Sequence, residues 1–135
     1  MFVEVIGGSN SQKKHTTKMV EFCANKLMPR MQNLWITVNL CKPEGAVGYC
    51  LELDDNRTFE LEIDRTQPLR QLLETVAHEM VHVKQYARKE TCGYGEKWKG
   101  KKINPKTAYY DLPWEKEAYK MQDKLAQLVW DADVL

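Results

Sequence analysis

The sequence predicts a single α+β domain over residues 1–135. Two observations support this class: three central runs alternate apolar and polar residues with period two, and three longer runs repeat apolar residues every three or four positions. The predicted order is an amino-terminal helix, a small, mostly antiparallel sheet of three to four strands, a second helix, a long loop and a carboxy-terminal helix. A chain of 135 residues is long enough to bury a substantial core.

The amino-terminal part of the chain predicts a short strand over residues 1–6 and then a helix. Two glycines mark a turn after the strand, and residues 9–11 offer side chains that can cap the start of a helix. The helix should run to about Met28, because Pro29 disfavours helical geometry in the residue before it.

Alternating apolar side chains predict three strands, at residues 34–40, 46–53 and 58–64. The turns between them, at residues 43–45 and 54–56, are built from Pro, Gly, Asp and Asn, which are typical turn residues. Because these connections are short, we expect neighbouring, antiparallel strands.

Residues 69–87 predict the second helix, because they contain neither Gly nor Pro and follow Pro68, which suits a first turn. At about 100° per residue, one side of this helix is apolar and should pack on the core. His78 and His82 lie on the opposite side and should face a cleft. The apolar side consists of Leu69, Leu72, Leu73, Val76, Met80, Val83 and Ala87.

This helix carries the pattern H-E-x-x-H at residues 78–82. Positions four apart lie one turn apart on one face, so His78 and His82 can bind one metal ion through their imidazole nitrogens. Glu79 would lie beside an open coordination position and accept a proton from a metal-activated water. The pattern therefore predicts a Zn²⁺ site with catalytic chemistry, since no closed set of Cys and His is present to complete a structural zinc site.

A third protein ligand is expected, because catalytic zinc usually has three. No histidine follows His82, so this ligand should be a downstream carboxylate, and the last helix supplies the candidates. By the same angular count, Glu117 lies at the shoulder of that helix's apolar stripe and is the predicted ligand. Glu115 is turned further away and remains the alternative, ahead of Asp111 and Asp123.

Composition excludes several classes of function. The formal net charge is +1, which gives no general attraction to nucleic acid or to a membrane surface. No apolar run approaches the length of a membrane span, and the first residues lack the features of a signal peptide. The four cysteines form no C-x-x-C pair and are expected to be reduced. We therefore expect a cytoplasmic protein with no membrane partner.

Several segments resemble known zinc metallopeptidases. Residues 78–82, followed by Glu117-Ala118 on a later helix, resemble the gluzincins, and the compact order of elements is similar to the minimal members of that group, the minigluzincins. Residues 76–86 resemble SprT-like proteases, and residues 109–118 resemble SprT-like proteins encoded by bacteriophages. The chain departs from SprT and Spartan proteins in two respects: it has no third histidine ligand and no cysteine-based zinc ribbon.

The resemblance implies a zincin-like fold and a zinc-dependent endopeptidase that acts on protein or peptide substrates. Zinc would be held by His78, His82 and Glu117, and Glu79 would be the general base. Members of the family commonly hold substrate extended along an edge strand above the metal. The candidates for stabilising the oxyanion are Tyr86, Tyr109 and Tyr110.

The long loop at residues 89–113 leaves a second class of function open. Its lysines alternate with aromatic residues, a composition that can contact phosphates and stack bases, although a solvated lid beside the cleft is the favoured interpretation. The alternative function is a non-proteolytic, zinc-containing module that binds nucleic acid or protein. The candidate nucleic-acid-binding residues are Lys97, Lys99, Lys101 and Lys102.

Overall fold

The computed structural model describes residues 1–53, 55–91 and 96–135. The predicted turn residue Asp54 and the cysteine Cys92 lie outside these ranges. The main elements are β1 (Phe2–Ile6), α1 (Asn10–Leu27), β2 (Trp35–Cys41), β3 (Gly48–Glu52), β4 (Thr58–Asp64), α2 (Leu69–Ala87) and α3 (Pro113–Ala132). The chain is therefore α+β, with three helices and a small sheet of four strands, as the sequence predicts.

The sheet is mixed, with the strand order β1-β2-β4-β3. The pairs β1–β2 and β2–β4 are parallel, and only β3–β4 is antiparallel, so the prediction of a mostly antiparallel sheet is wrong. Helix α1 joins β1 to β2 as a crossover, which makes that pair parallel. The connection from β2 to β3 passes the position of β4 and places β3 at the edge, about two strand spacings of 4.8 Å away. Of the short connections between the three predicted strands, only the one from β3 to β4 joins neighbouring antiparallel strands.

The core lies between one face of the sheet and helices α1 and α2. Alternate residues of β2 and β4 point into it, which confirms the period-two prediction for those two runs. Helix α1 begins with a capping box, in which Ser9 and Gln12 satisfy each other's backbone N–H groups, and it ends at Leu27. The inward residues of the two strands are Ile36, Val38, Leu40, Phe59, Leu61 and Ile63, all 0–1 % exposed.

Strand β3 departs from the expected pattern, because its alternating apolar residues are exposed. Its inward positions are occupied by Gly48, which has no side chain, and by Cys50, whose side chain is small. The strand can therefore approach α2 closely. A Cβ atom added at Gly48 would lie 2.7 Å from Thr75 Cγ2 and 3.1 Å from Glu79 Oε2. The edge strand is thereby held directly against the H-E-x-x-H helix.

Helix α2 is buried on nearly every side, not on the apolar stripe alone. The sheet and α1 cover its apolar side, and β3 and α3 cover the other. Leu69, at the first turn, is exposed and does not join the core. The polar residues buried along the helix are Thr75, His78, Glu79, His82 and Gln85. Because buried polar groups require partners, this set must be satisfied by neighbours or by a ligand.

The predicted long loop contains regular structure. Lys97–Trp98 (β5) and Lys101–Lys102 (β6) form a short antiparallel ribbon, and Tyr109–Asp111 form one 3₁₀ turn. Lys99 and Gly100 connect the ribbon with φ angles of 48° and 85°, as tight hairpin turns require. Two-residue strands are too short to show a period in the sequence.

The cysteines and the helices also bear on what the sequence predicts. Cys23, Cys41 and Cys50 are free thiols, in agreement with the expectation of reduced cysteines for these three residues. Among the described residues, no helix is long and apolar enough to cross a lipid bilayer.

The turn after β1 generates a prediction about stability. Gly7 has a φ of 82°, and a Cβ atom there would collide with the backbone carbonyl oxygen of Leu40. Gly100 has a similar φ of 85°, and a Cβ atom added there would meet no atom of the described residues within 4 Å. Gly7→Ala should therefore lower the free energy of unfolding by at least about 1 kcal/mol more than Gly100→Ala does, because only the first adds a clash to the backbone strain. Urea unfolding measures both, and equal losses would contradict this packing.

Candidate metal centre

Helices α2 and α3 meet at a cluster of two imidazoles and one carboxylate. His78 and His82 lie one turn apart on α2, and Glu115 lies in the first turn of α3. Glu115 Oε1 is 3.0 Å from His78 Nε2 and 3.3 Å from His82 Nε2. All three residues are less than 10 % exposed, and one ligand atom from each lies within 4.8 Å of the others. Within the described residues, these three are close enough to hold one metal ion.

The outer nitrogen of each imidazole is held by a glutamine amide oxygen. His78 Nδ1 is 2.7 Å from Gln122 Oε1, and His82 Nδ1 is 2.8 Å from Gln85 Oε1. An amide oxygen only accepts hydrogen bonds, so each Nδ1 carries the proton and donates it. In the neutral rings, both Nε2 lone pairs then point to the centre of the cluster. This arrangement of His residues is typical of metal ligands oriented by outer partners.

The donor set fits a divalent cation. Two imidazole nitrogens and a carboxylate oxygen are the ligand types of three-ligand catalytic zinc sites, and three converging acceptors repel one another unless a positive charge lies between them. Burial acts to raise the pKa of Glu115, but when the rings are protonated, the hydrogen bonds that His78 and His82 donate to it outweigh burial and lower that pKa to about 2. Burial likewise acts to lower the pKa of His82, yet the hydrogen bond that the protonated ring donates to Glu115, together with the charge of Glu79, raises it. Both directions indicate a centre that favours positive charge.

Glu117, the ligand predicted from the sequence, does not join this cluster. Its Oε1 accepts hydrogen bonds from Lys84 Nζ at 2.6 Å and from Gln85 Nε2 at 3.1 Å. Burial acts to raise the pKa of Glu117, and these two donors lower it. The alternative residue, Glu115, occupies the position between the histidines.

The orientation of α3 explains why Glu115, and not Glu117, faces the histidines. Helical spacing predicts an apolar stripe on α3 that includes Trp114, Met121 and Leu128, yet Leu128 is 37 % exposed and none of the three is fully buried. The stripe that is buried is rotated by roughly half of the 100° between successive residues, and this rotation turns Glu115 inward and Glu117 aside. The buried residues of α3 are Glu115, Ala118, Leu125, Ala126 and Val129.

Glu79 follows His78 in the helix, and its carboxylate lies against β3 near Gly48. The residue is 5 % exposed, and no hydrogen bond reaches its carboxylate from the part of the chain that the structure describes. Burial raises the pKa of Glu79, the charges of His82 and His78 lower it, and the charge of Glu115 raises it again, with a net increase. A buried carboxylate with a raised pKa is suited to accept a proton near neutral pH.

A cleft of about 760 Å³ opens over the cluster. Its walls are the edge strand β3 with the residues before it, helix α2, the 3₁₀ turn and the first turns of α3. The two histidines, Glu79 and Glu115 line it together with Gly48. A ligand in the cleft would therefore reach the candidate metal ligands, the Glu79 carboxylate and the strand edge at the same time.

The three candidate tyrosines differ in position. The Tyr109 hydroxyl donates a hydrogen bond of 3.0 Å to Glu115 Oε1, which places it beside the candidate metal ligands. The Tyr86 ring packs against Phe59, with centroids 6.3 Å apart, and burial first among several causes raises its pKa to about 12. Tyr110 is 70 % exposed at the rim of the cleft.

Sequence reasoning missed three residues of the site. Tyr119 packs edge-on against the His78 ring at 4.5 Å, and Gln85 and Gln122 hold the imidazoles. The spacing in α3 offered a weak signal, because Tyr119 and Gln122 lie one and two turns after Glu115. Polar residues at such positions are common on exposed helix faces, so the signal is not specific.

The four candidate nucleic-acid-binding lysines lie on and around the β5–β6 ribbon. All four are exposed, and Lys97 pairs across the ribbon with Lys102. Lys99 Nζ is 4.0 Å from Glu90 Oε2 and 5.1 Å from the centroid of the Trp98 ring. The ribbon is outside the residues that line the cleft.

Comparison with known proteins adds no relative. No protein-family profile matches the chain, and no curated protein or solved structure matches it significantly. The resemblance to SprT-like and gluzincin proteins therefore stays a prediction from the sequence.

The geometry reverses the expected ranking of the two glutamates. Glu115→Ala should weaken Zn²⁺ or Co²⁺ binding by more than the roughly 100-fold loss that changes outside the ligand set cause, because it removes a ligand. Glu117→Ala should weaken the binding of these ions by no more than about 100-fold. Competition with a chromophoric chelator measures both affinities. A larger loss for Glu117→Ala would restore the ranking that the sequence suggested.

Proposed function

We propose that this protein is a zinc-dependent endopeptidase, in which a water molecule attacks the peptide bond of a protein or peptide substrate. The observation that carries the proposal is the buried Glu79 carboxylate, which lines one cleft with His78, His82 and Glu115. A purely structural metal site does not need a basic carboxylate beside it. The position is that of a general base next to a set of metal ligands.

Zinc held by His78, His82 and Glu115 would supply a Lewis acid that polarises the scissile carbonyl and lowers the pKa of a bound water towards neutrality. The protein's own contribution is to fix the three ligand atoms before substrate arrives. The amide oxygens of Gln85 and Gln122 hold both rings with Nε2 inward, so the ligands do not have to reorient.

Glu79 is assigned the proton transfers. Its carboxylate accepts a proton from the attacking water and then donates it to the leaving amine. The raised pKa of Glu79 supports this role, since a base with a pKa nearer the working pH can both accept and release a proton. Its lack of a hydrogen bond from the described residues also leaves the carboxylate available to water.

Strand β3 is the part of the cleft best suited to hold a substrate backbone. It is an edge strand, paired with β4 on one side only, and residues 45–50 line the cleft. An extended peptide can add to such an edge through main-chain hydrogen bonds. The small inward residue Gly48 keeps this strand within contact distance of Glu79. A bound peptide bond would thus lie near the general base.

Tyr109 is the best placed of the three tyrosines to stabilise an oxyanion. Its hydroxyl already donates to Glu115 Oε1 and can turn to a substrate oxygen near the same position. Tyr86 also lines the cleft, but its ring packs against Phe59, and Tyr110 is mostly exposed to solvent. The sequence alone does not distinguish Tyr109 from the other two tyrosines.

The alternative function is a zinc-containing module without peptidase activity that binds nucleic acid. The observation that favours it is the exposed ribbon, where Lys97 and Lys102 lie directly opposite each other. Like charges in such a pair are unfavourable unless an anion lies near them. The alternative leaves the position of Glu79 without a purpose.

Glu79→Gln tests the proposed chemistry. The amide keeps the size of the side chain but cannot accept the proton, so turnover of casein should fall by two or more orders of magnitude while the zinc content stays at one per chain. Glu74→Gln is the matched control, because Glu74 lies on the same helix and, among the described residues, forms its ion pair with Arg70 alone. Unchanged turnover in Glu79→Gln would remove Glu79 as the base. A native protein that binds zinc and DNA but leaves casein and other unfolded proteins intact would favour the alternative.

Tyr109→Phe tests the oxyanion assignment. Loss of the hydroxyl should lower kcat by about 100-fold with little change in KM, because the hydrogen bond is strongest in the transition state. Tyr110→Phe should leave kcat within about twofold. Zinc affinity should be retained in both variants. A kcat that falls for Tyr110→Phe and not for Tyr109→Phe would show that Tyr110 has this role and that the assignment to Tyr109 is wrong.

A further inference from the structure

A cluster of charged side chains lies beside His82, between α2 and α3. Lys84 Nζ is 2.6 Å from Glu117 Oε1 and 2.8 Å from Glu90 Oε1. The three side chains are only 12 %, 24 % and 16 % exposed, in the order Lys84, Glu117 and Glu90. Buried ion pairs contribute little net stability, because desolvation offsets the attraction. The cluster can instead act by fixing the orientation of the groups that it contacts.

The neighbour in contact with this cluster is the amide of Gln85. Gln85 Nε2 donates hydrogen bonds to the backbone carbonyl oxygen of Trp114 at 2.9 Å and to Glu117 Oε1 at 3.1 Å. Both partners can only accept hydrogen bonds. If the amide were flipped, its oxygen would face two acceptors. Glu117 and the Trp114 carbonyl thus fix which way the amide of Gln85 points.

The fixed amide sets the tautomer of His82. With its nitrogen held on the far side, Gln85 must present Oε1 to His82 Nδ1, 2.8 Å away. The proton of the neutral ring then lies on Nδ1, and the lone pair of Nε2 points to Glu115 and His78. A flipped amide would offer N–H to Nδ1 instead, and the ring would carry its proton on Nε2, where the metal should bind. His78 is held through Gln122, without contact to Glu117.

We propose that Glu117 is a positioning residue, which locks the amide of Gln85 and so keeps His82 in its metal-binding tautomer. Lys84 holds the Glu117 carboxylate in place for this purpose. Glu117 acts on the metal site through two intervening side chains and not as a ligand. The inference rests on the proposed metal site, although its first test needs neither metal nor substrate.

The first test is the tautomer of His82 in the metal-free protein, read from long-range ¹H–¹⁵N NMR spectra at a pH where both site histidines are neutral. The native protein should show the proton on Nδ1 of His82. Glu117→Leu, which removes the acceptor, should shift His82 towards a mixture with the proton on Nε2. The spectrum of His78 is an internal control and should not change. A His82 tautomer that stays on Nδ1 in Glu117→Leu would overturn the proposal.

The second test is the affinity for zinc alone, measured by chelator competition. Glu117→Leu should bind zinc about 10–100-fold more weakly, as expected for a partner outside the ligand set. Glu117→Gln should bind within a few-fold of the native protein, because its amide oxygen can still accept from Gln85 Nε2. Glu90→Gln is the matched control; it removes the other partner of Lys84, leaves the Gln85 contact intact and should bind as the native protein does. Equal losses in Glu117→Leu and Glu117→Gln would show that the charge matters and the acceptor does not, against the proposal.

A double-mutant cycle tests whether Glu117 acts through Gln85. If it does, the zinc affinity of Gln85→Leu combined with Glu117→Leu should equal that of Gln85→Leu alone. Additive losses would mean that the two residues act independently and would reject the proposed route. Circular dichroism shows whether each variant is folded. Failure of the peptidase proposal would appear only in the casein assay and would leave the tautomer and zinc results unchanged.

Discussion

The convergence of three hydrogen-bond acceptors between α2 and α3 constrains the rest of this structure. His78 Nε2, His82 Nε2 and Glu115 Oε1 lie within a few ångströms of one another, and the residues that carry them are less than 10 % exposed. Three lone-pair donors buried together are unfavourable unless a cation joins them. The fold nevertheless brings them together, and two glutamine amides hold the rings in place. Pro113 starts α3 at this point, and the small residue Ala118 lets α3 pack close to α2. Such local cost is typical of functional sites.

The same constraint explains the unusual environment of α2. The helix is buried on its polar side as well as on its apolar side, because β3 and α3 close around His78 and His82. Strand β3 can do so because it presents Gly48 and Cys50 inward and leaves its larger apolar side chains in solvent. The cleft then has a strand edge on one side and the helix start with Glu115 on the other. These contacts bring an edge strand, the buried carboxylate of Glu79 and three side chains that could hold a metal ion into one cavity.

The sequence predicts what depends on local periodicity. The three helices, the inward residues of β2 and β4, and the pair His78 and His82 all follow from spacing along one element. The strand order does not, because a connection of six residues can reach either the next position in a sheet or the one beyond it. The choice of Glu115 over Glu117 depends on a rotation of α3 smaller than the angle between neighbouring residues, and only its packing against α2 determines that rotation.

Outer partners of the metal ligands are even less accessible to sequence reasoning. Gln85 and Gln122 acquire their roles from contacts across a helix pair, and nothing distinguishes them in the sequence from glutamines on an exposed face. Glu117 shows the same principle from the other direction. Its position near the apolar stripe predicts an inward-facing role, and the structure gives it a half-buried one, in contact with Lys84 and Gln85 and not with the histidines.

X-ray absorption and anomalous diffraction at the zinc edge, on protein loaded with one equivalent of zinc, test the central claim most directly. We expect a single zinc bound by Nε2 of His78 and His82 at about 2.0–2.1 Å and by a carboxylate oxygen of Glu115 at about 2.0–2.2 Å, with a fourth position open to the cleft. A zinc bound by Glu117, a ligand set without one of the two histidines, or no zinc peak between α2 and α3 would contradict the account.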